Sequence, residues 1–253
     1  MRYETLDVRF LDGLCRIRLN RPEQGNAINA RMLEELAHAV SQCEPSGQDK
    51  PVTVVVLEGA AEVFCAGGDF EAAATGATLD PEALYNLWTR LAAGPFVTIA
   101  LVRGRVNAGG VGLACACDFV LCDPTAAFSL SELLFGLFPA CVLPFLIRRT
   151  GVQKAHRLAL MTRPITAEDA LACGIADAVG EDIEALLRAY LPRLSKLSGT
   201  AVGRYKRYMA ELSDIVARAR PMAISENRAM FDDPTVRRNI SRYVTEMKFP
   251  WEP

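Results

Sequence analysis

Long apolar runs and strong charge are both missing from this chain of 253 residues. No segment approaches the roughly 20 consecutive apolar residues of a transmembrane helix, and the opening MRYETLDVRF is typical of a strand and not of a signal peptide. The formal net charge is −2, which gives no electrostatic attraction to nucleic acid or to an anionic membrane. We therefore expect neither of them as a partner.

Metal-binding patterns are missing as well. The eight cysteines include no CxxC pair and have no neighbouring histidine, which argues against zinc. Most of them lie in apolar runs, where a free thiol packs as a small hydrophobic group. We predict a reduced, cytoplasmic protein that needs no metal or other cofactor.

The chain does contain alternating strand and helix patterns, and 51% of its residues are hydrophobic, enough for a substantial core. Strands at 5–10 and 14–19 predict a hairpin, and a helix capped by Asn29, a break at 45–47 and a buried strand at 52–57 open an α/β fold. A polar linker is predicted at 71–80 and a strand at 96–102. Helices are predicted from Pro81 and at 144–160 (broken at Gly151), 166–174, 182–197, 201–220 and 234–247.

Two glycine-rich turns, FCAGGD at 64–69 and NAGGVG at 107–112, each follow an apolar strand. Glycine lets the backbone approach another backbone or a ligand more closely than any Cβ allows. If the turns converge, Gly68 and Gly109 can each donate one N–H to a single oxygen, which is the geometry of an oxyanion hole. The alternative is that these glycines only permit tight packing of helix on strand.

Glu132 is the candidate acid/base residue. Its apolar neighbours, Leu130 and Leu133 among them, favour a raised carboxyl pKa. The alternative comes from the SLSE run at 129–132, which matches a capping box in which the glutamate only closes a helix start.

Tyr85 and Trp88 are assigned first to the core and second to the wall of a pocket. The apolar stripe of the last helix is assigned either to a subunit contact or to the chain's own core.

Four motifs carry a family resemblance: the Arg21 to Asn29 loop, FCAGGD, NAGGVGLACACD at 107–118, and SELLFGLFP followed by RRTG at 131–151. Together they resemble the crotonase (enoyl-CoA hydratase/isomerase) superfamily over nearly the whole chain. Within it, YNLW at 85–88, VRGRVNAGG at 102–110 and FPWE at 249–252 most resemble the dehydrating enzymes of the cassettes that install β-branches on polyketides.

The resemblance implies an α/β fold with a repeated ββα spiral core at 1–195 and a helical region at 196–253 that forms a homotrimer or hexamer. It assigns the oxyanion donors to Gly68 and Gly109 and one catalytic carboxylate to Glu132. Gly112 stands where ordinary hydratases of the family have a second glutamate, so one acid/base group remains. The residues expected to contact substrate are Ala66, Tyr85, Arg103, Gly110, Gly112 and Cys141.

The function that follows is dehydration of a 3-hydroxy-3-methylglutaryl thioester, carried on the phosphopantetheine of an acyl carrier protein or coenzyme A, to the 3-methylglutaconyl thioester. Gly112 is expected to leave space for the branched C3. Arg103, Arg148 and Arg149 are candidates for binding the substrate carboxylate. Lys154 and Arg157 are assigned first to a solvated basic helix face and second to contact with an acidic carrier protein. Decarboxylation, isomerisation, ordinary hydration and a non-catalytic carrier-binding role are the alternatives.

Overall fold

The structure is a computed structural model that describes residues 2–44, 51–74, 76 and 79–253. Its larger sheet begins with the predicted hairpin, because β1 (Leu6–Leu11) pairs antiparallel with β2 (Leu14–Leu19). The strands that follow in this sheet are all parallel and nearly all buried, as β-branched runs predict. They are, in spatial order after β2, β3 (Val54–Glu58), β5 (Val97–Val102), β7 (Phe119–Cys122) and β9 (Ala178–Val179).

A second sheet has three short parallel strands: β4 (Val63–Cys65), β6 (Arg105–Asn107) and β8 (Ala127–Ser129). Each of them directly follows a strand of the larger sheet, and a helical segment then leads the chain back to the next strand of that sheet. The predicted repeated ββα spiral is therefore confirmed. The helices are α1 (Ala30–Ser41), α2 (Phe70–Ala74), α3 (Pro81–Ala93), α4 (Gly109–Ala116), α5 (Leu143–Thr150), α6 (Val152–Met161), α7 (Ala167–Cys173), α8 (Ile183–Leu194), α9 (Gly199–Leu212), α10 (Ile215–Asp232) and α11 (Pro234–Glu246).

Two sequence predictions about these elements are wrong, and one lies outside the described residues. The linker predicted at 71–80 begins as helix α2, because Asp69 caps it by accepting from Ala72 N. The single helix predicted at 201–220 is two helices, since the backbone of Ser213 is not helical and α10 then runs on through Pro221 to Asp232. The predicted break at 45–47 lies outside the described residues.

The apolar stripe of α11 packs on its own chain. Val236 and Ile240 are buried in one cluster with Phe135 and Leu137, so this part of the stripe belongs to the chain's own core, whereas Met247 at its end is exposed. Apolar side chains remain exposed instead on α9, at Tyr205, Tyr208 and Leu212. Association of subunits through the C-terminal helices stays a prediction.

No helix in the described part of the chain is both long and apolar enough to cross a bilayer.

A buried lysine joins α9 to the core. The ammonium of Lys206 lies 2.7 Å from Oδ2 of Asp118 and donates to the carbonyl oxygens of Leu91 and Phe96, each at 3.0 Å. Burial lowers the pKa of Lys206, and the neighbouring carboxylate of Asp118 opposes that shift. The three acceptors come from α3, the residue before β5 and the residue before β7, so one side chain connects several elements.

We therefore predict that Lys206→Met destabilises the fold by about 3 kcal/mol, because it removes one partner of a buried ion pair and leaves Asp118 uncompensated. The measurement is the free energy of unfolding in urea. Lys196→Met, the same change at an exposed lysine, is the matched control and should stay within about 0.5 kcal/mol of the parent. Equal effects of the two substitutions would contradict the role given to Lys206.

Candidate active site

The three strands of the small sheet end at the same edge. They run parallel, and Val106 of β6 lies opposite Cys65 of β4 and Phe128 of β8. The chain leaves this edge three times, and the carboxyl edge of parallel strands is where α/β proteins form ligand sites. The functional candidates that follow the strand ends are Gly68, Gly109 and Glu132.

The two glycine turns converge, as the oxyanion-hole interpretation requires. A Cβ atom built on Gly109 would lie 3.6 Å from the amide nitrogen of Gly68, and one built on Gly67 would lie 3.2 Å from the amide nitrogen of Gly109. The first turn is fixed by Ile28, whose N–H donates to Gly67 O at 2.7 Å and whose carbonyl accepts from Asp69 N at 3.2 Å. Within the described residues, the amides of Gly68 and Gly109 donate to no protein oxygen. They are free to bind a ligand oxygen.

Ala108 precedes the second amide in a strained conformation. Its φ is 47° and its ψ is −115°, in a region that residues with a Cβ rarely occupy, at a cost of about 1–3 kcal/mol. The strain is held by hydrogen bonds on both sides, since Ala108 N donates to Ser129 O at 2.9 Å and Ala108 O accepts from Val111 N at 2.9 Å. This turn sets the direction of the Gly109 amide at the start of α4, where N–H groups lack intrahelical partners.

Glu132 is a buried carboxyl group, and few hydrogen bonds offset the cost of its burial. Only 9% of its surface is exposed, and burial raises its pKa to about 7, opposed by a hydrogen bond from its own backbone N–H. Its Oε2 atom has no hydrogen-bond partner among the described residues. A carboxyl group with a pKa near neutrality can act both as a base and as an acid.

The capping-box alternative for Glu132 is wrong. The residue begins a short 3-10 turn, Glu132–Phe135, but no side-chain hydrogen bond caps that turn. A capping box needs the glutamate to reach back to the N–H of Ser129, and the described residues contain no such bond. The side chain lines a cavity instead.

This cavity has a volume of about 350 Å³ and contains both glycine turns in its wall. The rest of the wall is mainly apolar, with Asn29, Arg31, Asp69 and Asn227 as the other polar contributors. Asp69 is already engaged, because it lies 3.2 Å from Arg21 and caps α2. The apolar residues of the wall include Ile28, Phe70, Leu79, Leu84, Trp88, Leu137 and Phe138.

An aromatic cluster covers the turn that carries Glu132. The ring of Phe135, at the end of that turn, packs edge-on to Phe70 of α2 at 5.5 Å and to Tyr243 of α11 at 5.1 Å. Phe249 lies 5.8 Å from Phe135 and stacks on Trp251 at 4.9 Å. The segment after α11 therefore packs over Phe135, the last residue of that turn.

The structure brings together some of the predicted site residues. Gly68, Gly109, Glu132 and Cys141 line the cavity. Burial raises the pKa of the Cys141 thiol to about 12, so that residue contributes a neutral wall and not a nucleophile. Ala66 and Gly110 lie behind the wall: Ala66 N donates to Gly25 O at 2.9 Å, and a Cβ on Gly110 would lie 2.3 Å from Cys65 O.

Gly112 does not leave space for substrate, which corrects the sequence-based expectation. A Cβ atom at Gly112 would lie 2.4 Å from Cη2 and 2.6 Å from Cζ3 of Trp88. The indole of Trp88 therefore fills the volume above this glycine. The missing side chain makes room for Trp88, and Trp88 itself lines the cavity.

Tyr85 and the three candidate arginines lie outside the cavity wall. Tyr85 is fully buried and donates its hydroxyl to Val216 O at 2.6 Å. Arg103 pairs with Glu184 at 3.4 Å on the far side of the larger sheet. Arg148 and Arg149 donate to backbone carbonyls at the end of α4, and Arg149 also pairs with Asp177. Each guanidinium already has protein partners, so none is available to a substrate carboxylate here.

Sequence reasoning missed two polar residues of the wall. Arg31 follows the helix start at Asn29, and nothing in its local pattern distinguishes it from a surface arginine. Asn227 belongs to α10, beyond the end that the sequence pattern predicts for this helix at Arg220. Trp88 was assigned to a pocket wall only as a second alternative, because helical periodicity places it on a buried stripe without telling a core from a cavity.

We predict that Gly112→Ala destabilises the protein by about 1–3 kcal/mol through overpacking against Trp88. The unfolding free energy of Gly112→Ala, Trp88→Leu and the double variant provides the measurement. In the double variant the clash is absent, so its destabilisation should be smaller than the sum of the single effects. Strict additivity would show that the contact is not the cause.

The described residues contain no group of three His, Cys, Asp or Glu side chains that could hold a metal ion.

The sequence is similar to those of known proteins. Residues 9–253 match the family model described as Enoyl-CoA hydratase/isomerase. The chain is 48% identical over 256 residues to the bacillaene synthase dehydratase PksH of Bacillus subtilis (strain 168), covering 99% of this chain and 97% of that protein.

Two further comparisons agree with that match. Over 175 residues the chain is 37% identical to the enoyl-CoA hydratase ACTT6 of Alternaria alternata, covering 69% of this chain and 58% of that one. A crystal structure of a Bacillus subtilis protein described as a polyketide biosynthesis enoyl-CoA hydratase (pksH) has a TM-score of 0.94 and 47% identity, covering 98% of this chain and 100% of the other. The converging glycine turns, the spiral fold and these matches all lead to one conclusion: the chain belongs to the enoyl-CoA hydratase/isomerase family.

Proposed function

We propose that this enzyme dehydrates a 3-hydroxy-3-methylglutaryl thioester, carried on the phosphopantetheine of an acyl carrier protein, to the 3-methylglutaconyl thioester. The observation that carries the proposal is the single buried carboxyl group of Glu132, with a pKa of about 7, in a cavity that also holds the free amides of Gly68 and Gly109. The name of the relative PksH, a bacillaene synthase dehydratase, supports dehydration in polyketide biosynthesis.

The first step is loss of the proton on C2. The thioester carbonyl oxygen accepts hydrogen bonds from the N–H groups of Gly68 and Gly109, and the carboxylate of Glu132 takes the proton. Negative charge then develops on the carbonyl oxygen, where the two preorganised donors stabilise it. Loss of one such donor costs on the order of 100- to 1,000-fold in rate.

The second step is loss of water. The C–O bond at C3 breaks, the electron pair of the enolate forms the double bond between C2 and C3, and the proton on Glu132 passes to the departing hydroxyl. One water is released and Glu132 returns to its carboxylate form. A single group suffices for both steps because its pKa lies near neutrality. Asp69 is not a second acid/base group, since it is paired with Arg21 and caps α2.

We predict that the protein removes about 18 Da, the mass of one water, from an acyl carrier protein loaded with 3-hydroxy-3-methylglutaryl, as measured by intact-protein mass spectrometry. Glu132→Gln should abolish the loss, because the amide cannot carry the proton. Glu168→Gln, at an exposed glutamate of α7, is the matched control and should retain it.

The same experiment separates the alternatives. Loss of carbon dioxide would identify a decarboxylase, and an unchanged mass with either protein would favour an isomerase or a carrier-binding subunit. Full dehydration by Glu132→Gln would contradict the role of that residue. A parallel reaction with the coenzyme A thioester tests whether the carrier protein itself is recognised.

We also predict a pH dependence that follows from the raised pKa of Glu132. The carboxylate is the form that removes the C2 proton, so kcat/KM for dehydration should fall about tenfold per pH unit below about pH 7 and level off above it. The measurement covers roughly two units on either side of that pKa. A profile that falls only near the ordinary carboxyl value of 4.5 would show that Glu132 is not the base.

A further inference from the structure

Two buried carbonyl groups at the end of α4 depend on one arginine. Nη2 of Arg148 donates to Cys115 O at 3.2 Å and to Ala116 O at 3.3 Å, and the described residues offer these two oxygens no other donor. The last carbonyl groups of a helix have no intrahelical donor, and a buried one without a partner is costly. Cys115 and Ala116 are fully buried, so water does not replace the arginine there.

The neighbouring Arg149 completes this end of the helix. It donates to Cys117 O at 3.0 Å and to Asp118 O at 3.3 Å, and it pairs with the carboxylate of Asp177. Arg148 differs, because no carboxylate among the described residues forms an ion pair with it. Asp118 acts on it only at longer range, where it opposes the burial that lowers the pKa of Arg148. The carbonyl end of α4, equivalent to about half a negative charge, is the main partner of this guanidinium.

The other end of the same helix is part of the proposed oxyanion hole. α4 has eight residues and begins at Gly109, so its two ends are about 12 Å apart. Its sequence, GGVGLACA, contains no polar side chain except a thiol. Apolar packing is non-directional, whereas hydrogen bonds at the helix end fix its position along and about its axis. A shift at the arginine end is therefore passed to the Gly109 amide.

The turn before α4 does not hold this amide by itself. Ala108 is in a strained conformation, with φ at 47° and ψ at −115°, and such a conformation persists only where the surrounding structure imposes it. Part of what imposes it is the rest of the helix, since Ala108 O accepts from Val111 N and from Gly112 N. The direction of the Gly109 amide thus depends on where α4 lies.

We infer that Arg148 is a positioning residue: by holding the carbonyl end of α4, it directs the Gly109 amide at the thioester oxygen. This inference rests on the oxyanion hole of the proposed function. Arg148 touches neither the substrate nor the reacting atoms. Its loss acts mainly on the transition state, because negative charge on the oxygen is greatest there. A misplacement of about 1 Å can cost on the order of 100-fold in rate.

A second cavity makes it feasible to restore what a substitution removes. Arg148 lines a cavity of about 570 Å³ that shares no lining residue with the cavity of Glu132. Its wall also includes Tyr205 and Met209 of α9, which are exposed, so solutes can enter. Arg148→Ala removes the guanidinium, and guanidinium chloride at millimolar concentration supplies it again. Tetramethylammonium chloride, whose cation has no N–H donor, is the matched control salt.

The readout is the carbonyl stretching band of a bound thioester in isotope-edited infrared spectra. Acyl carrier protein is loaded with 3-methylglutaryl that carries ¹³C at the thioester carbonyl; this ligand lacks the hydroxyl and is not dehydrated. Hydrogen bonds from Gly68 and Gly109 should lower the band relative to free carrier protein. We expect Arg148→Ala to raise it toward the free value, guanidinium to lower it again, and tetramethylammonium to leave it unchanged.

Turnover of the 3-hydroxy-3-methylglutaryl carrier protein gives the kinetic readout. Arg148→Ala should lower kcat about 10- to 100-fold and change KM by a smaller factor, and guanidinium should restore kcat. Leu187→Ala is the control for a loss of stability alone. Leu187 is buried in the cluster on the opposite face of the larger sheet, so its truncation destabilises the fold and should leave both the band and kcat unchanged.

The outcomes separate this inference from the proposed function. A band that Arg148→Ala leaves unchanged, an equal rise with Leu187→Ala, or restoration by both salts or by neither would overturn the role of Arg148 while the oxyanion hole stands. A band that binding to the parent protein does not lower would overturn the oxyanion hole, and this inference with it. Arg148→Lys keeps the charge without the planar fork and serves if Arg148→Ala does not fold. It should raise the band by a smaller amount, and an unchanged band would overturn the inference.

Discussion

The parallel register of the small sheet is the constraint on which the site depends. Each of its strands is only three residues long, yet each places the residues after it beside those after its neighbours. The backbone bond from Ala108 N to Ser129 O extends this register past the strand ends. The larger sheet and its helices supply the hydrophobic burial that keeps such short strands paired.

Several groups of the site lower the stability of the folded protein. Ala108 is strained, the glycine amides have no acceptors within the described residues, and Glu132 is buried with an unpaired oxygen. Because the pKa of Glu132 is higher in the folded state than its ordinary 4.5, its stabilising contribution is fully present below pH 4.5 and is lost as the pH rises through about 7. The ionised form that the reaction uses is thus the less stable one. Such costs are common where function requires preorganised groups.

The sequence predicted those parts of the site that depend on short stretches of chain, namely the two glycine turns and the apolar surroundings of Glu132. The turns at Gly68 and Gly109 follow recognisable strands, and Glu132 lies in an apolar run, so their convergence needed only the parallel sheet. The role of Gly112 could not be predicted, because the side chain that fills its space comes from Trp88 on another helix. Arg103 was a candidate for binding the substrate carboxylate, but it pairs with Glu184 instead. The sequence could not show this pairing, because the two residues are far apart along the chain. The part of α10 after Arg220 was not predicted; proline is a common signal of a helix end, but Ala223 and Ile224 pack into the core and the helix continues past Pro221.

The aromatic cover of the Glu132 turn has a consequence for the order of synthesis. A nascent chain that has emerged only as far as α8 already contains the three strand ends with Gly68, Gly109 and Glu132. It lacks Tyr243 and Phe249, which cover Phe135. The aromatic cover of Phe135 is therefore completed last, when α11 and the segment after it dock on the rest of the chain.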